Sequence, residues 1–438
     1  MPLIVIVGST VGLSIMGDSL LYSILPLEAE DLGISLPQVG ILLSANRLIR
    51  LLSNTWASSF YERLGPRAPF IGSAVLGAVA TVLYGLGWGF AALLLARVIW
   101  GIAWSGLRQG GYQAIWAAGD QVKGRMTGIL FGLVRLGSAI GVLFGGYLYD
   151  GFGFSTAIGA VMVMALLAVP VSSVIRWPIF ERASETSPRP GHSSADSAEA
   201  DPTEVDSVDS EQIFTQPITE PIAYHRLDLQ LRKLGRGWLS VLEKPVHRWL
   251  IGATFCDLLL NSVVVATTSL FIASKVGADQ NGLTLGLGVA TVTGILHGVR
   301  WLTDLTVGPA LGHLSDLWGQ SRMAFGIVVV LLLSLLGAVT LPAFWAILCL
   351  LIVFLGKGSL YVVLSAAAAG EATETVRPHL FMSTYATASD AGSAIGPLFA
   401  FSIGSIIGLP TLYLGVGLLL GLVLFQYRRH AQEGFYGN

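Results

Sequence analysis

Gly137-Ser138-Ala139-Ile140-Gly141-Val142-Leu143-Phe144 returns as Gly392-Ser393-Ala394-Ile395-Gly396-Pro397-Leu398-Phe399, with seven of eight positions identical at an offset of 255 residues. Repetition at this distance points to a chain made of two duplicated halves. A second pair supports the reading. Glu62-Arg63-Leu64-Gly65-Pro66-Arg67 corresponds to Asp316-Leu317-Trp318-Gly319-Gln320-Ser321-Arg322, and in both cases the segment follows an apolar run. Working outward from the repeat, each half should hold the same number of elements, with extra sequence inserted between them.

Those elements read as membrane-spanning helices. The 438 residues are 53% hydrophobic and only 12% charged, with a mean hydropathy of +0.70, too apolar for a water-soluble domain. A bilayer core of about 30 Å needs about 20 apolar residues in a helix. Twelve stretches satisfy this, near 3–27, 39–60, 68–89, 91–118, 126–149, 155–176, 249–272, 282–311, 323–342, 344–369, 379–404 and 409–427. Helices follow because each backbone N–H must find its partner within its own segment. The first run lacks a basic leader and is too long for a signal peptide, so it reads as a retained span. The expected fold is an all-α integral membrane protein, with twelve transmembrane helices in two pseudo-symmetric six-helix bundles. The bundles should occupy 1–176 and 249–427, separated by a loop at 177–248 and followed by a tail at 428–438.

Charge gives the orientation. Arg63, Arg67, Lys123, Arg125, Arg322, Arg377, Arg428 and Arg429 fall in the loops after even-numbered spans and in the tail, whereas the opposite loops carry only Lys275. Basic loops resist translocation, so both termini should be cytoplasmic. The central loop divides in two. Residues 181–220, acidic and rich in Ser and Pro, should be disordered. In 226–248, Leu227, Leu231, Leu234 and Trp238 recur at helical spacing among basic residues, the pattern of a helix lying on an anionic membrane surface. A net charge of -2 offers no basic excess for nucleic acid. Cys256 and Cys349 have no Cys or His neighbours at ligand spacing, so no metal site or disulfide framework is expected.

The second turn, Gly312-His313-Leu314-Ser315-Asp316-Leu317-Trp318-Gly319-Gln320-Ser321-Arg322, resembles the Gly-x-x-x-Asp-x-x-Gly-x-x-Arg element of the major facilitator superfamily. The first copy departs from it, with Ala57 near the expected Gly and Gly65 and Arg67 too close together. Arg97-Val98-Ile99-Trp100-Gly101 is similar to the family's Arg-x-x-x-Gly element. Gly137, Gly141, Gly145 and Gly146 are similar to its antiporter-associated glycines, with Val142 in place of the usual Pro. The resemblance implies a secondary transporter, symporter or antiporter, in a bacterial cytoplasmic (inner) membrane. It implies a small-molecule substrate, membrane lipid around the chain, a proton as co-substrate and no enzymatic activity. The turns imply gating by Glu62, Arg63, Arg67, Asp316 and Arg322. Without reference to the family, glycines four apart let helices approach closely, and tight packing is the plainer use of Gly137, Gly141 and Gly145.

Ionisable groups inside a span cost about 2.5 to 3.5 kcal/mol on insertion scales, so each is a candidate for function. Away from helix ends stand Arg47, Arg50, Arg97, Arg108, Arg135, Arg300 and Lys357 against Asp18, Asp257, Asp304 and Asp390. Arg97, Gly101, Trp104 and Arg108 share one helical face, as do Arg47, Arg50 and Asn54. Guanidinium grips an oxyanion with two parallel hydrogen bonds, so Arg47, Arg50, Arg97, Arg108 and Lys357 are candidate anion-binding residues, with Tyr22 and Trp104 packing an apolar portion. Proton coupling needs a carboxylate or imidazole: Asp18, Asp257, His297 and Asp390 are the candidates. Arg300 and Asp304, one turn apart, could simply pair, and Asp18 could pair with an arginine of its own half.

The absence of a phosphate-binding Gly-rich loop, a nucleophile elbow and paired metal ligands leaves no residues for ATP-driven or hydrolytic chemistry, and no cofactor is expected. Transport of a small anionic or amphipathic solute by alternating access is the leading expectation. A proton-coupled cation or drug exporter, a metal-complex transporter, and a non-transporting sensor or assembly factor are the rivals.

Overall fold

Twelve helices account for the structure, a computed structural model that describes residues 2–117, 123–177, 241–278, 287–375 and 378–436. They are α1 (Pro2–Ile24), α2 (Leu36–Leu64), α3 (Arg67–Leu86), α4 (Gly89–Trp116), α5 and α6 (together Lys123–Ser173), α7 (Pro245–Ala278), α8 (Val289–Trp318), α9 (Gln320–Thr340), α10 (Ala343–Thr373), α11 (Pro378–Ile407) and α12 (Leu409–Tyr436). The boundary between α5 and α6 is Gly153, whose φ of 81° and ψ of 176° interrupt an otherwise continuous helix. A side chain would strain that conformation, and glycine adopts it freely.

Length and composition alone mark all of these stretches as able to cross a bilayer except α2 and α8, with α5 and α6 counting as one. The exceptions are informative. α2 holds Arg47, Arg50 and Glu62, and α8 holds Arg300, Asp304 and Asp316. They occupy equivalent places in the two halves, and Arg47, Arg50 and Arg300 line the cavity described below.

The expected number and order of spans match the helices, but several edges move. α7 begins at Pro245, inside the segment assigned to the central loop, and α12 continues through the expected tail to Tyr436. α8 is displaced from the expected 282–311 to Val289–Trp318. The cause is that a hydropathy window ends at charged residues, whereas a helix continues through a polar turn. Residues 181–220 lie outside the described residues, as does the expected surface helix at 226–248 up to residue 240.

The packing repeats between halves. α1 lies on α5, and α7 lies on α11 in the same way. A Cβ on Gly137 would run into the backbone of Gly12, one on Gly141 would meet Met16, and one on Gly145 would meet Leu20. On the other side, Gly392 faces the backbone of Phe255, and Gly396 faces Ser262. Close approach of backbones is therefore what the repeated glycines provide.

The halves join through a second symmetric set of contacts. α5 packs on α8, and its counterpart α11 packs on α2. Gly146 faces Ala290, Gly294 faces Val142 and Gly298 faces Leu143, while Gly40 faces Pro397 and Phe401. Alternation of the helices puts the start of α1 and the end of α12 at one face, here the terminal face; the opposite one is the far face.

Candidate functional site

Asp18 and Tyr22 follow one another at i, i+4 on α1, so one helical turn aims both into the bundle. Asp18 is held by Arg97 of α4 in a buried ion pair. Asn46 of α2 donates Nδ2–H to the same Oδ1 at 3.0 Å, and Arg97 spends its Nε–H on the Leu42 carbonyl at 2.9 Å. The Arg97 guanidinium is only 1% exposed and also lies over the Tyr22 ring, 5.5 Å from its centroid. It thereby ties three helices together. This revises its expected place: Arg97 stands behind Asp18, not among the residues lining the cavity described next.

That cavity, of about 160 Å³, lies where α1, α2 and α4 meet α5, α7 and α8. Asp18, Tyr22, Arg47, Arg50 and Trp104 line it from the first half, and His297, Arg300 and Trp301 from the second. Arg47 bridges the halves, donating from Nη1 to Ser262 Oγ at 2.9 Å and to the Ser393 carbonyl at 3.0 Å. Arg50 is engaged differently. Its guanidinium lies 5.2 Å from the centroid of the Trp104 ring, and its buried Nε has no hydrogen-bond partner among the described residues. His297 shares a hydrogen bond with Ser23 through Nδ1 at 3.3 Å and is edge-on to Phe354, and its Nε2 is likewise buried without a partner. Arg300 stacks on Trp301 at 4.8 Å.

A second cavity of about 180 Å³ shares Ile15, Trp104 and Trp301 with the first. Its walls are apolar apart from Arg108, Arg135 and Ser138. Arg108 thus lies in this neighbouring chamber, about one turn beyond Trp104 toward the terminal face.

The remaining candidates are elsewhere. Lys357 of α10 and Asp257 of α7 form a buried ion pair, and Lys357 also donates to the Asp257 carbonyl at 2.6 Å. One was expected to hold substrate and the other to carry a proton, yet each is the other's partner and neither lines the central cavity. Asp390 is exposed on α11, also away from it. Spacing identifies residues sharing a face of one helix, but how that helix is turned in the bundle depends on its neighbours. Glu62, Arg63, Arg67 and Arg322 are exposed at the terminal-face ends of α2, α3 and α9; the side chain of Asp316 lies outside the described residues.

Sequence reasoning missed four contributors. Asn46, Ser262 and Trp301 are ordinary residues for a span, and only tertiary contact gives them a role. The fourth, Asp150, lies at the far-face end of α5 and caps α8 across the two halves. Its Oδ2 accepts from the Thr291 N–H at 2.6 Å and from Thr291 Oγ1 at 2.5 Å, and its Oδ1 from the Ala290 N–H at 3.2 Å. A carboxylate here satisfies first-turn donors and the positive end of the helix dipole. Gly288 permits the approach, since a Cβ would overlap the Asp150 carboxylate.

Comparison with known proteins agrees with this architecture. The chain aligns along 98% of its length with 99% of the nucleoside transporter NupG in its crystal structure, at a TM-score of 0.72 and 12% sequence identity, which shows a shared fold. Among curated sequences it is 27% identical over 143 residues to the chromaffin granule amine transporter of Rattus norvegicus, covering 32% of this chain and 27% of that protein. It is 27% identical over 155 residues to the synaptic vesicular amine transporter of Homo sapiens, covering 35% and 30%. It is 23% identical over 162 residues to the quinolone resistance protein NorA of Staphylococcus aureus (strain Mu50 / ATCC 700699), covering 35% and 42%. The matched segments therefore span less than half of these relatives. The profile of the Major Facilitator Superfamily matches residues 7–304, well over half of the sequence. With twelve helices in two related bundles, a cavity between them and this match, the chain belongs to the Major Facilitator Superfamily of membrane transporters.

Proposed function

We propose that this transporter moves a small amphipathic oxyanion, such as an aromatic carboxylate, through the cavity between its halves by alternating access. The observation that carries the reading is Arg50, a cavity-lining guanidinium over the Trp104 ring whose buried Nε has no hydrogen-bond partner among the described residues. A buried donor left unsatisfied costs about 1 to 3 kcal/mol, more for a charged group, and an oxyanion placed against it removes that cost. Arg47 and the unpartnered Nε2 of His297 line the same space. Tyr22, Trp104 and Trp301 would cover an apolar ring. The volume of about 160 Å³ is below the roughly 300 to 1,000 Å³ of drug-sized sites, which favours a small solute.

Asp18 does not balance this positive charge, because Arg97 already neutralises it. It is, with His297, one of the titratable groups bordering the cavity that suit proton coupling: protonating Asp18 would release Arg97 and loosen α1 from α4. Hydrogen bonds at Asp150, Ser23, Ser44 and Arg47 join the halves from the midplane to the far face. With both termini cytoplasmic, as the basic loops favour, the cavity would open inward.

A second reading, export of an amphipathic cation, draws on the relatives named for amine transport and quinolone resistance. It requires Asp18 to leave Arg97. Thermal unfolding of the purified protein with aromatic carboxylates or aryl amines separates the two. Carboxylates should raise the midpoint of the native protein, since a ligand of the folded state stabilises it, and should lose about 10- to 100-fold in affinity with Arg50→Gln, the equivalent of a charge-assisted hydrogen bond. Stabilisation by amines and not by carboxylates would overturn the anion reading.

A further inference from the structure

The outer surface of the molecule carries two grooves that follow the same internal symmetry as the helices. One, of about 800 Å³, runs between α9 and α10 beneath the end of α8, and its polar boundary is limited to Arg322, Ser359 and the Trp318 ring edge. Its floor is open at Gly326, where a Cβ would meet no atom within 4 Å. The other, of about 510 Å³, lies between α3, α4 and the end of α2. There Gly72 and Leu76 take the places of Gly326 and Val330, and a Cβ on Gly72 also meets open space.

Each groove ends at the terminal face beside an exposed arginine in the first turn of the adjoining helix, Arg322 on α9 and Arg67 on α3. At the larger groove the positive charge is reinforced. The Arg428 guanidinium of α12 lies 4.9 Å from the Phe325 ring centroid, one turn from Arg322. Gly319 gives α9 no side-chain cap, and a helix start carries a partial positive charge. Trp318, 61% exposed, stands at the mouth, the depth at which tryptophan meets the membrane interface. None of the groove's lining residues borders the central cavity, so it is not an arm of the transport site.

We propose that the α9–α10 groove is a binding site for an anionic phospholipid, with an acyl chain along Gly326 and Ile327 and the phosphate beside Arg322. The walls offer an acyl chain the same apolar surface that surrounds it in the bilayer, with a concave fit. Selectivity comes from the charged end, where a basic residue near the membrane surface is worth about 1 kcal/mol toward an anionic headgroup, or about fivefold in occupancy. A lipid so placed would brace the α8–α9 turn against α10.

Native mass spectrometry of the full chain, released from micelles containing equal phosphatidylglycerol and phosphatidylcholine of matched chains, tests the site. The native protein should retain phosphatidylglycerol preferentially. Arg322→Gln should reduce that preference about fivefold and leave phosphatidylcholine retention unchanged. Gly326→Leu, whose Cβ would meet no atom within 4 Å, puts a side chain into the groove and should reduce retention of both. Equal retention of the two lipids by the native protein would overturn the proposal, as would an undiminished preference in Arg322→Gln, or displacement of phosphatidylglycerol by an aromatic carboxylate.

Discussion

Arg97 and Arg50 are two intramembrane arginines with opposite circumstances. Arg97 has an ion pair with Asp18, a backbone acceptor in Leu42 and an aromatic neighbour in Tyr22, so it binds helices together. Arg50 has an aromatic neighbour and a buried Nε with no partner among the described residues, the donor that the proposed oxyanion would satisfy. The consequence for Arg97 can be measured. Removing one member of a buried pair leaves the other charge uncompensated and typically costs about 3 to 5 kcal/mol. Arg97→Met should therefore lower thermal stability sharply, and Asp18→Asn in the same chain should restore part of it, although Asp18→Asn alone also destabilises. Absence of any rescue in the double variant would show that the pair is not the source of the loss. Lys357 and Asp257 form the same kind of pair in the second half.

At the scale of elements, the repeated glycines position the helices that carry these residues. Gly137 meets the backbone of Gly12, which cannot move aside as a flexible side chain could, whereas Gly128 on the same helix has nothing within 4 Å. Gly137→Val should then destabilise the protein by about 1 to 3 kcal/mol, the usual penalty for overpacking, and Gly128→Ala should be neutral or slightly stabilising through helix propensity. Comparing the melting temperatures of the two variants checks this. A harmless Gly137→Val would mean that α1 and α5 do not rely on close approach. The Gly137 spacing was legible in the sequence as a packing signal, but its partner was not, because Gly12 lies in a different span with no repeat to identify it.

For the molecule as a whole, the joint between halves must open and close if the cavity is to reach both faces in turn. Asp150 fastens it at the far face by capping α8, and the Ser44 hydroxyl does so by accepting the Leu398 N–H at 3.2 Å. A cap of this kind is worth about 0.5 to 2 kcal/mol, so Asp150→Ala should raise the population open at the far face roughly 2- to 30-fold. Labelling measures it: with Cys256 and Cys349 replaced by Ser, a Ser44→Cys chain should react faster with a membrane-impermeant maleimide when Asp150→Ala is added. An unchanged rate would remove Asp150 from the gate.

By itself, the sequence determined the all-helical membrane fold, the number and order of spans and the duplication, because each rests on local apolar length or on repeated letters such as Gly-Ser-Ala-Ile-Gly. It also singled out Asp18, Tyr22, Arg47, Arg50, Trp104 and His297, which line the cavity, since charge or aromaticity within a span is visible one residue at a time. Only the tertiary structure decided that Asp257 belongs to Lys357, that Arg97 belongs to Asp18, that Arg108 lies in a neighbouring chamber and that Asp150 reaches α8. These outcomes depend on how each helix is rotated against its neighbours. That rotation is set by packing between residues far apart in the chain, which no spacing along a single helix encodes.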